Sequence, residues 1–308
     1  MTEIICLQGV TKQFRSVRAL DDVSLVVQPG VTGLLGPNGA GKSTLIKILL
    51  GLLRATSGSG TVLGYELGTQ SRDIRSVVGF LPEDDCYLPS LSGVECVQFA
   101  ARLCRLPAIE ALRRAHEILD FCGIGEERYR EVETYSTGMR QKLKFAQALV
   151  HDPQLLILDE PTSGLDPDER NAMLNRIRVL AKRHGKSVIV CTHILPDVQA
   201  VSDAVVILAR GRVCVADSLQ HLSRLESPAI HVRTIGSSVP LAEKLRADGF
   251  SVEERDHGEL TIFGAGTTAA VWKAAEQSGT VVRSMTPAAN SMEAIFLDAV
   301  QDNSRAGS

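Results

Sequence analysis

The run Gly36-Pro37-Asn38-Gly39-Ala40-Gly41-Lys42-Ser43-Thr44 constrains this chain more than any other stretch. It fits G-x-x-x-x-G-K-[ST], a pattern that binds phosphate when a strand precedes it and a helix follows. Both flanks are present. Val31-Thr32-Gly33-Leu34-Leu35 reads as a short buried strand, and Leu45 to Leu50 continues as a helix. Glycines allow a tight turn whose successive N–H groups, with the helix N-terminus, face a phosphate chain. In that frame Lys42 puts positive charge over the terminal phosphates, and the Ser43 hydroxyl helps hold Mg2+. The loop alone points to ATP or GTP.

A second strand sharpens the chemistry. Leu155-Leu156-Ile157-Leu158 is apolar throughout and ends in Asp159 and Glu160, the place where open α/β sheets bind ligands. Asp159 is suited to organise Mg2+ and its water shell. Glu160 is the candidate to polarise an attacking water, as general base or as a positioning group. Ser187 to Cys191 forms another apolar strand before Thr192 and His193. His193 fits two roles, a contact to the terminal phosphate or a purely structural side chain. The strand Val77 to Leu81 breaks off at Pro82-Glu83-Asp84-Asp85, where Glu83 either approaches metal-bound nucleotide or belongs to a solvated acidic loop.

Three further segments carry paired readings. Phe14 either stacks on an adenine ring or fills the core. Tyr135-Ser136-Thr137-Gly138-Met139 precedes a helical run from Arg140 to His151. Ser136 caps that helix, and with Gly138 it also fits a second phosphate-binding surface. Asp166, Pro167 and Glu169 suit the cap, first and third positions of another helix, and a contact across a subunit interface explains Asp166 equally well.

Composition places these motifs in a protein with 44% hydrophobic and 22% charged residues among 308, enough for two domains. No apolar run approaches the roughly 18 residues of a membrane span. Met1-Thr2-Glu3-Ile4-Ile5 lacks the regions of a secretory signal, and seven cysteines without a C-x-x-C pair suit reduced thiols rather than zinc or disulfides. We therefore expect a cytoplasmic chain. A formal charge of -3 gives no broad basic footprint for nucleic acid.

Along the chain, a strand-rich lead-in reaches residue 28, and Ser57 to Thr61 reads as a turn entering a strand. Helices over 92–125 carry an apolar stripe of Ile109, Leu112, Ala115, Leu119 and Cys122, the core of a helical lobe over about 88–150. The Arg210–Val213 segment suits a hairpin. The domain boundary falls near 220–228, at Glu226-Ser227-Pro228, so that residues 1–224 and 225–308 form separate domains. The second reads β-α-β-β-α-β, a small α/β sandwich, with Asn290 capping a last helix and a frayed tail from Gln301 to Ser308.

The ordered set from residue 3 to about 220 resembles the nucleotide-binding subunit of an ATP-binding cassette transporter. Gly36 to Thr44 matches Walker A, Tyr135 to Met139 the signature, Leu155 to Glu160 Walker B with its catalytic glutamate, Ser163 to Asp166 the D-loop and His193 the switch histidine. Phe14 stands where that family has an adenine-stacking aromatic, and Glu83 stands at the Q-loop position. The resemblance implies a P-loop cassette fold with a helical signature subdomain. It also implies ATP and Mg2+ as ligands, with Ser43, Asp159 and Glu83 near the metal and Lys42, Glu160 and His193 at the reaction. Ser136, Gly138 and Asp166 would serve a nucleotide across a head-to-tail homodimer or heterodimer. Two positions depart from the family's commonest pattern: the signature is not L-S-G-G-Q, and Glu83 replaces a glutamine, so it cannot donate the glutamine's hydrogen bond. Both variants, and Ser291 to Leu297, resemble the subgroup serving exporters of drugs, antibiotics, lipids or polysaccharides. A separately encoded multi-spanning permease would then hold the chain at the cytoplasmic membrane face. The alternative is a soluble cassette ATPase acting on ribosomes or nucleic acid.

Overall fold

The computed structural model describes residues 3–222, 229–255, 259–264, 268–287 and 292–305. Alternating buried and exposed positions open the chain as a hairpin of β1 (Ile5–Phe14) and β2 (Val17–Val27), with Ile5 opposite Val27. β3 (Val31–Leu35), buried at every position, runs into the phosphate loop and α1 (Lys42–Leu49). β4 (Ser57–Val62) and β5 (Tyr65–Glu66) complete an antiparallel sheet of order β2-β1-β4-β5. Strand begins at Ser57, where the sequence suggests a turn. A Cβ on Gly58 would sit 2.3 Å from the Gly9 carbonyl oxygen, so glycine here admits a close neighbouring backbone rather than ending the strand.

The chain continues through α2 (Ser71–Val77), β6 (Val78–Leu81), α3 (Gly93–Leu103), α4 (Ala108–Cys122) and α5 (Thr137–Leu149). Then come β7 (Leu155–Asp159), α6 (Pro167–His184), β8 (Ser187–Cys191), α7 (Leu195–Val201), β9 (Ala204–Ala209), β10 (Arg212–Ser218) and the short α8 (Leu219–Leu222). The resulting sheet has the order β10-β9-β3-β8-β7-β6 and is parallel except for β10, the return strand of a hairpin.

The period-two geometry of strands divides the core into two faces. Leu156 and Leu158 of β7 pack with the helical lobe, including Phe145, Leu143 and Leu119. Leu155 and Ile157 pack on the opposite face with α1 and the hairpin residues Leu7, Val10 and Leu20. The buried face of α4 is Ala111, Ala115, Ile118, Leu119 and Cys122, whereas Ile109 is 87% and Leu112 41% exposed. At 3.6 residues per turn, Ile109 sits about 120° round the helix from Ala115, so the expected stripe holds only from Ala115 onward.

The described chain divides into two compact units, one running to Leu219 and including residues from Phe296, the other from Gln220 to Ile295. The second unit contains β11 (Ala229–Ile235), α9 (Val239–Ala247), β12 (Ser251–Arg255), β13 (Glu259–Phe263), α10 (Thr268–Ser278) and β14 (Val281–Pro287). Its antiparallel sheet has the order β12-β13-β11-β14 and encloses a separate core of Val232, Leu241, Leu245, Leu260 and Ile262. This is the β-α-β-β-α-β succession read from the sequence. Glu226-Ser227-Pro228 and Asn290 fall outside the described residues. The last helix, α11 (Met292–Arg305), continues through residues expected to fray; Gln301 to Arg305 are polar but include no helix breaker.

Candidate nucleotide-hydrolysis site

Four adjacent parallel strands, β3, β8, β7 and β6, end on the same edge of the central sheet. Each delivers one part of the site. β3 leads into the phosphate loop, β8 into Thr192 and His193, β7 into Asp159 and Glu160, and β6 into Pro82 and Glu83. A cleft of about 790 Å³ at this edge is lined by Phe14, the whole run from Gly36 to Thr44, Glu83, Asp159, Glu160 and His193.

The phosphate loop is shaped by close backbone approach. Gly41 caps α1 at φ +106, and a Cβ there would come within 2.6 Å of the Ala19 carbonyl oxygen. Only glycine satisfies both the left-handed backbone and that contact. Lys42 Nζ donates to the carbonyl oxygens of Gly36 at 2.6 Å and Pro37 at 3.2 Å, so its charge sits over the loop. Phe14 ends β1 and is 44% exposed, with Lys12 Nζ 4.9 Å from the ring centre. Its ring lines the cleft and does not fill the core.

Glu160 is the most constrained side chain of the site. Its Oε1 accepts from the His193 backbone N–H at 3.1 Å and lies 2.8 Å from His193 Nδ1, while Thr192 Oγ1 donates to Oε2 at 2.9 Å. A carboxylate offers about four acceptor positions. With Nδ1 protonated, three are used, and one on Oε2 is left for another donor. The Glu160 peptide is held too: its N–H donates to Cys191 O at 2.7 Å and its carbonyl accepts from Gln141 Nε2 at 2.8 Å. The residue stands at φ +49, a left-handed backbone that costs a non-glycine residue about 1 kcal/mol.

Asp159 is buried beside Glu160 and opposite Cys191 in the β7–β8 register. Burial pushes its carboxyl above the usual range, and the charges of Glu83 and Glu160 push the same way, while the Cys191 thiol and Lys42 oppose them. Ser43 and these carboxylates are hard oxygen donors. Among the described residues no three acidic, histidine or cysteine side chains form a complete cage. Hard oxygen donors of this kind are the type that Mg2+ takes alongside waters and phosphate oxygens.

Ser136, Gly138 and Asp166 do not line this cleft. Ser136 caps α5 through its hydroxyl, which accepts from Met139 N–H at 3.2 Å, and Asp166 caps α6, accepting from Glu169 N–H at 2.8 Å. The two caps are neighbours: Lys142 Nζ reaches Glu169 at 2.7 Å, and a Cβ on Gly164 would meet the Thr137 side chain at 2.6 Å. Together they form a second surface.

Several site residues escaped the sequence reading. Thr192 and Gln141 orient Glu160, and buried Asp197 anchors the D-loop through Thr162 at 2.6 Å and Arg170 at 2.6 Å. Position beside His193 is a signal for Thr192; Gln141 and Asp197 sit within ordinary helical pattern.

Residues 20–163 match the ABC transporter family model. The chain is also 38% identical over 228 residues to the uncharacterised ABC transporter ATP-binding protein YdbJ of Bacillus subtilis, covering 74% of this chain and 73% of that one. The chain belongs to the ABC transporter family. As an ATP-binding cassette of that family it binds ATP and couples ATP hydrolysis to transport. It is 32% identical to the Nod factor export ATP-binding protein I of Cupriavidus metallidurans, over 85% of this chain and 86% of the relative. Its fold is similar to that of a dimeric ATP-binding cassette solved in a post-hydrolysis state with ADP and Pi, with a TM-score of 0.65, 24% identity, and coverage of 70% of this chain and 98% of the other. No helix of the cassette among the described residues is long and apolar enough to cross a membrane.

Proposed function

We propose that this cassette is the ATP-hydrolysing motor of an exporter, working from the cytoplasmic membrane face on a separately encoded multi-spanning permease. The observation that carries the hydrolytic reading is Glu160, whose carboxylate is held by Thr192 and His193 with one acceptor position left on Oε2. That position takes a hydrogen bond from water, aligning it for attack on the terminal phosphorus, and accepts its proton as the new P–O bond forms and the bond to the bridging oxygen breaks, releasing ADP and phosphate. His193 keeps the carboxylate in place and lies where it can sense the terminal phosphate. Lys42 and the loop N–H groups hold the phosphates, and Phe14 stacks on the adenine. Ser43, Asp159 and Glu83 would hold Mg2+, which when bound would supply charge neutralisation on the phosphate oxygens.

Ser136, Gly138 and Asp166 complete the site of another subunit: the caps Ser136 and Asp166 are exposed and lie away from their own cleft, and Gly138 is buried beneath them at the start of α5. Two cassettes, identical or related, therefore close head to tail on two ATP molecules and reopen after hydrolysis. Residues 1–224 supply this motor, and the part of 225–308 that falls in the second compact unit, before Phe296, is an accessory domain. The similarity to a Nod factor export subunit supports outward transport of a drug, antibiotic, lipid or polysaccharide. Glu160→Gln tests the chemistry: ATP affinity stays within about twofold and turnover falls at least about 100-fold. Undiminished turnover would reject Glu160 as the residue that activates water.

A further inference from the structure

Helix α5 is capped by Ser136, and its side chains reach three other segments: the Glu160 peptide, the start of α6 and the loop after β6. Gln141 holds the Glu160 peptide and Lys142 pairs with Glu169 at the start of α6. Lys144 has the most unusual placement. It is 6% exposed, and its ammonium donates to three successive carbonyl oxygens, Pro82 at 3.2 Å, Glu83 at 2.8 Å and Asp84 at 3.4 Å. An ammonium has three donors, and all three are used on one loop.

The fold makes room for this contact. Gly79 of β6 lies so close to α5 that a Cβ would fall 2.1 Å from the Ala148 carbonyl oxygen. The loop leaving β6 is thereby pressed against the helix. It is acidic at Glu83, Asp84 and Asp85, and Arg140 of α5 reaches Asp85 at 3.5 Å while its guanidinium stacks over the Tyr87 ring at 5.1 Å. Cys86 Sγ donates to Gln147 of α5 at 3.5 Å. The helix therefore grips the loop from Pro82 to Tyr87 along its length. A buried cation satisfied by backbone carbonyls is held more rigidly than an exposed ion pair, since letting go would leave charge out of water.

We propose that Lys144 is a positioning residue that locks the Pro82–Asp84 backbone to α5, so that Glu83 faces the Asp159 edge and any rotation of α5 moves Glu83 with it. This rests on the proposed hydrolytic reading of the cleft.

The test uses the purified full-length chain with ATP and Mg2+. Lys144→Met keeps the aliphatic stem and removes the donors. It is expected to lower kcat by about tenfold or more, since small displacements cost that much, with KM for ATP within about twofold and the half-saturating Mg2+ concentration raised several-fold. Lys144→Arg, which restores charge and donors, recovers most of the turnover. Unchanged kcat and Mg2+ dependence in Lys144→Met overturns the proposal, as does a joint loss of ATP affinity and turnover that arginine does not rescue.

Hydrogen exchange provides a measurement that needs no Lys144 variant. Glu160→Gln with Mg-ATP is expected to gain protection over 82–86 together with 136–147; no change at 82–86 overturns the coupling. Wild-type turnover by Glu160→Gln would instead reject the hydrolytic reading itself.

Discussion

Asp159, the proposed Mg2+ ligand, works against its own fold. Its folded-state pKa lies above its unfolded value because the carboxyl is buried among like charges. The ionised form thus costs stability above the unfolded pKa, and that cost disappears as pH falls through the raised folded value. Asp159→Asn is therefore expected to raise the melting temperature of ligand-free protein at pH 7, by an amount that shrinks in acid, while hydrolysis is lost. Thermal unfolding across pH checks the sign. Gly41→Ala has the opposite character: the new methyl meets the Ala19 carbonyl at a positive φ, so ATP binding measured by calorimetry should be lost.

Residues such as these were legible because their chemistry recurs at fixed spacing, as in the phosphate loop, or at an abrupt strand end, as in Asp159 and Glu160. Gln141, Lys144 and Asp197 were not. Each contacts a segment between 19 and 62 residues away in sequence, and a long-range contact leaves no local period to read.

Among elements, α5 combines core packing with polar contacts to neighbouring loops. Phe145 is fully buried in the core between the helical lobe and the sheet, and its neighbour Lys144 faces the loop after β6. Phe145→Ala should cost about 3–5 kcal/mol, read from denaturant unfolding, and should loosen the loop indirectly. The strands β3, β7 and β8 were easy to recognise because burial on both faces gives short apolar runs. Helix α4 was harder. An apolar residue on the lobe surface, such as Ile109, looks like core when only spacing is available.

For the whole molecule, the placement of Ser136, Gly138 and Asp166 outside the cleft leads to an oligomeric prediction. Glu160→Gln with ATP should sediment at twice the monomer mass, and ADP should return it to monomer. The second unit has its own buried core, which suits a separately folding accessory domain. Its element order was readable from alternating strand and helix patterns; the extension of α11 through Arg305, outside that unit, was not, since polar residues alone do not end a helix.

The left-handed backbone at Glu160 bears on how such a motor decays in evolution. Glycine, asparagine and aspartate tolerate that conformation, whereas branched residues do so poorly. A copy released from selection for hydrolysis should therefore drift first toward those small or polar types at position 160. Valine and isoleucine there should be rarer, because their branched side chains add to the strain of that backbone, even among copies that no longer need to turn over ATP.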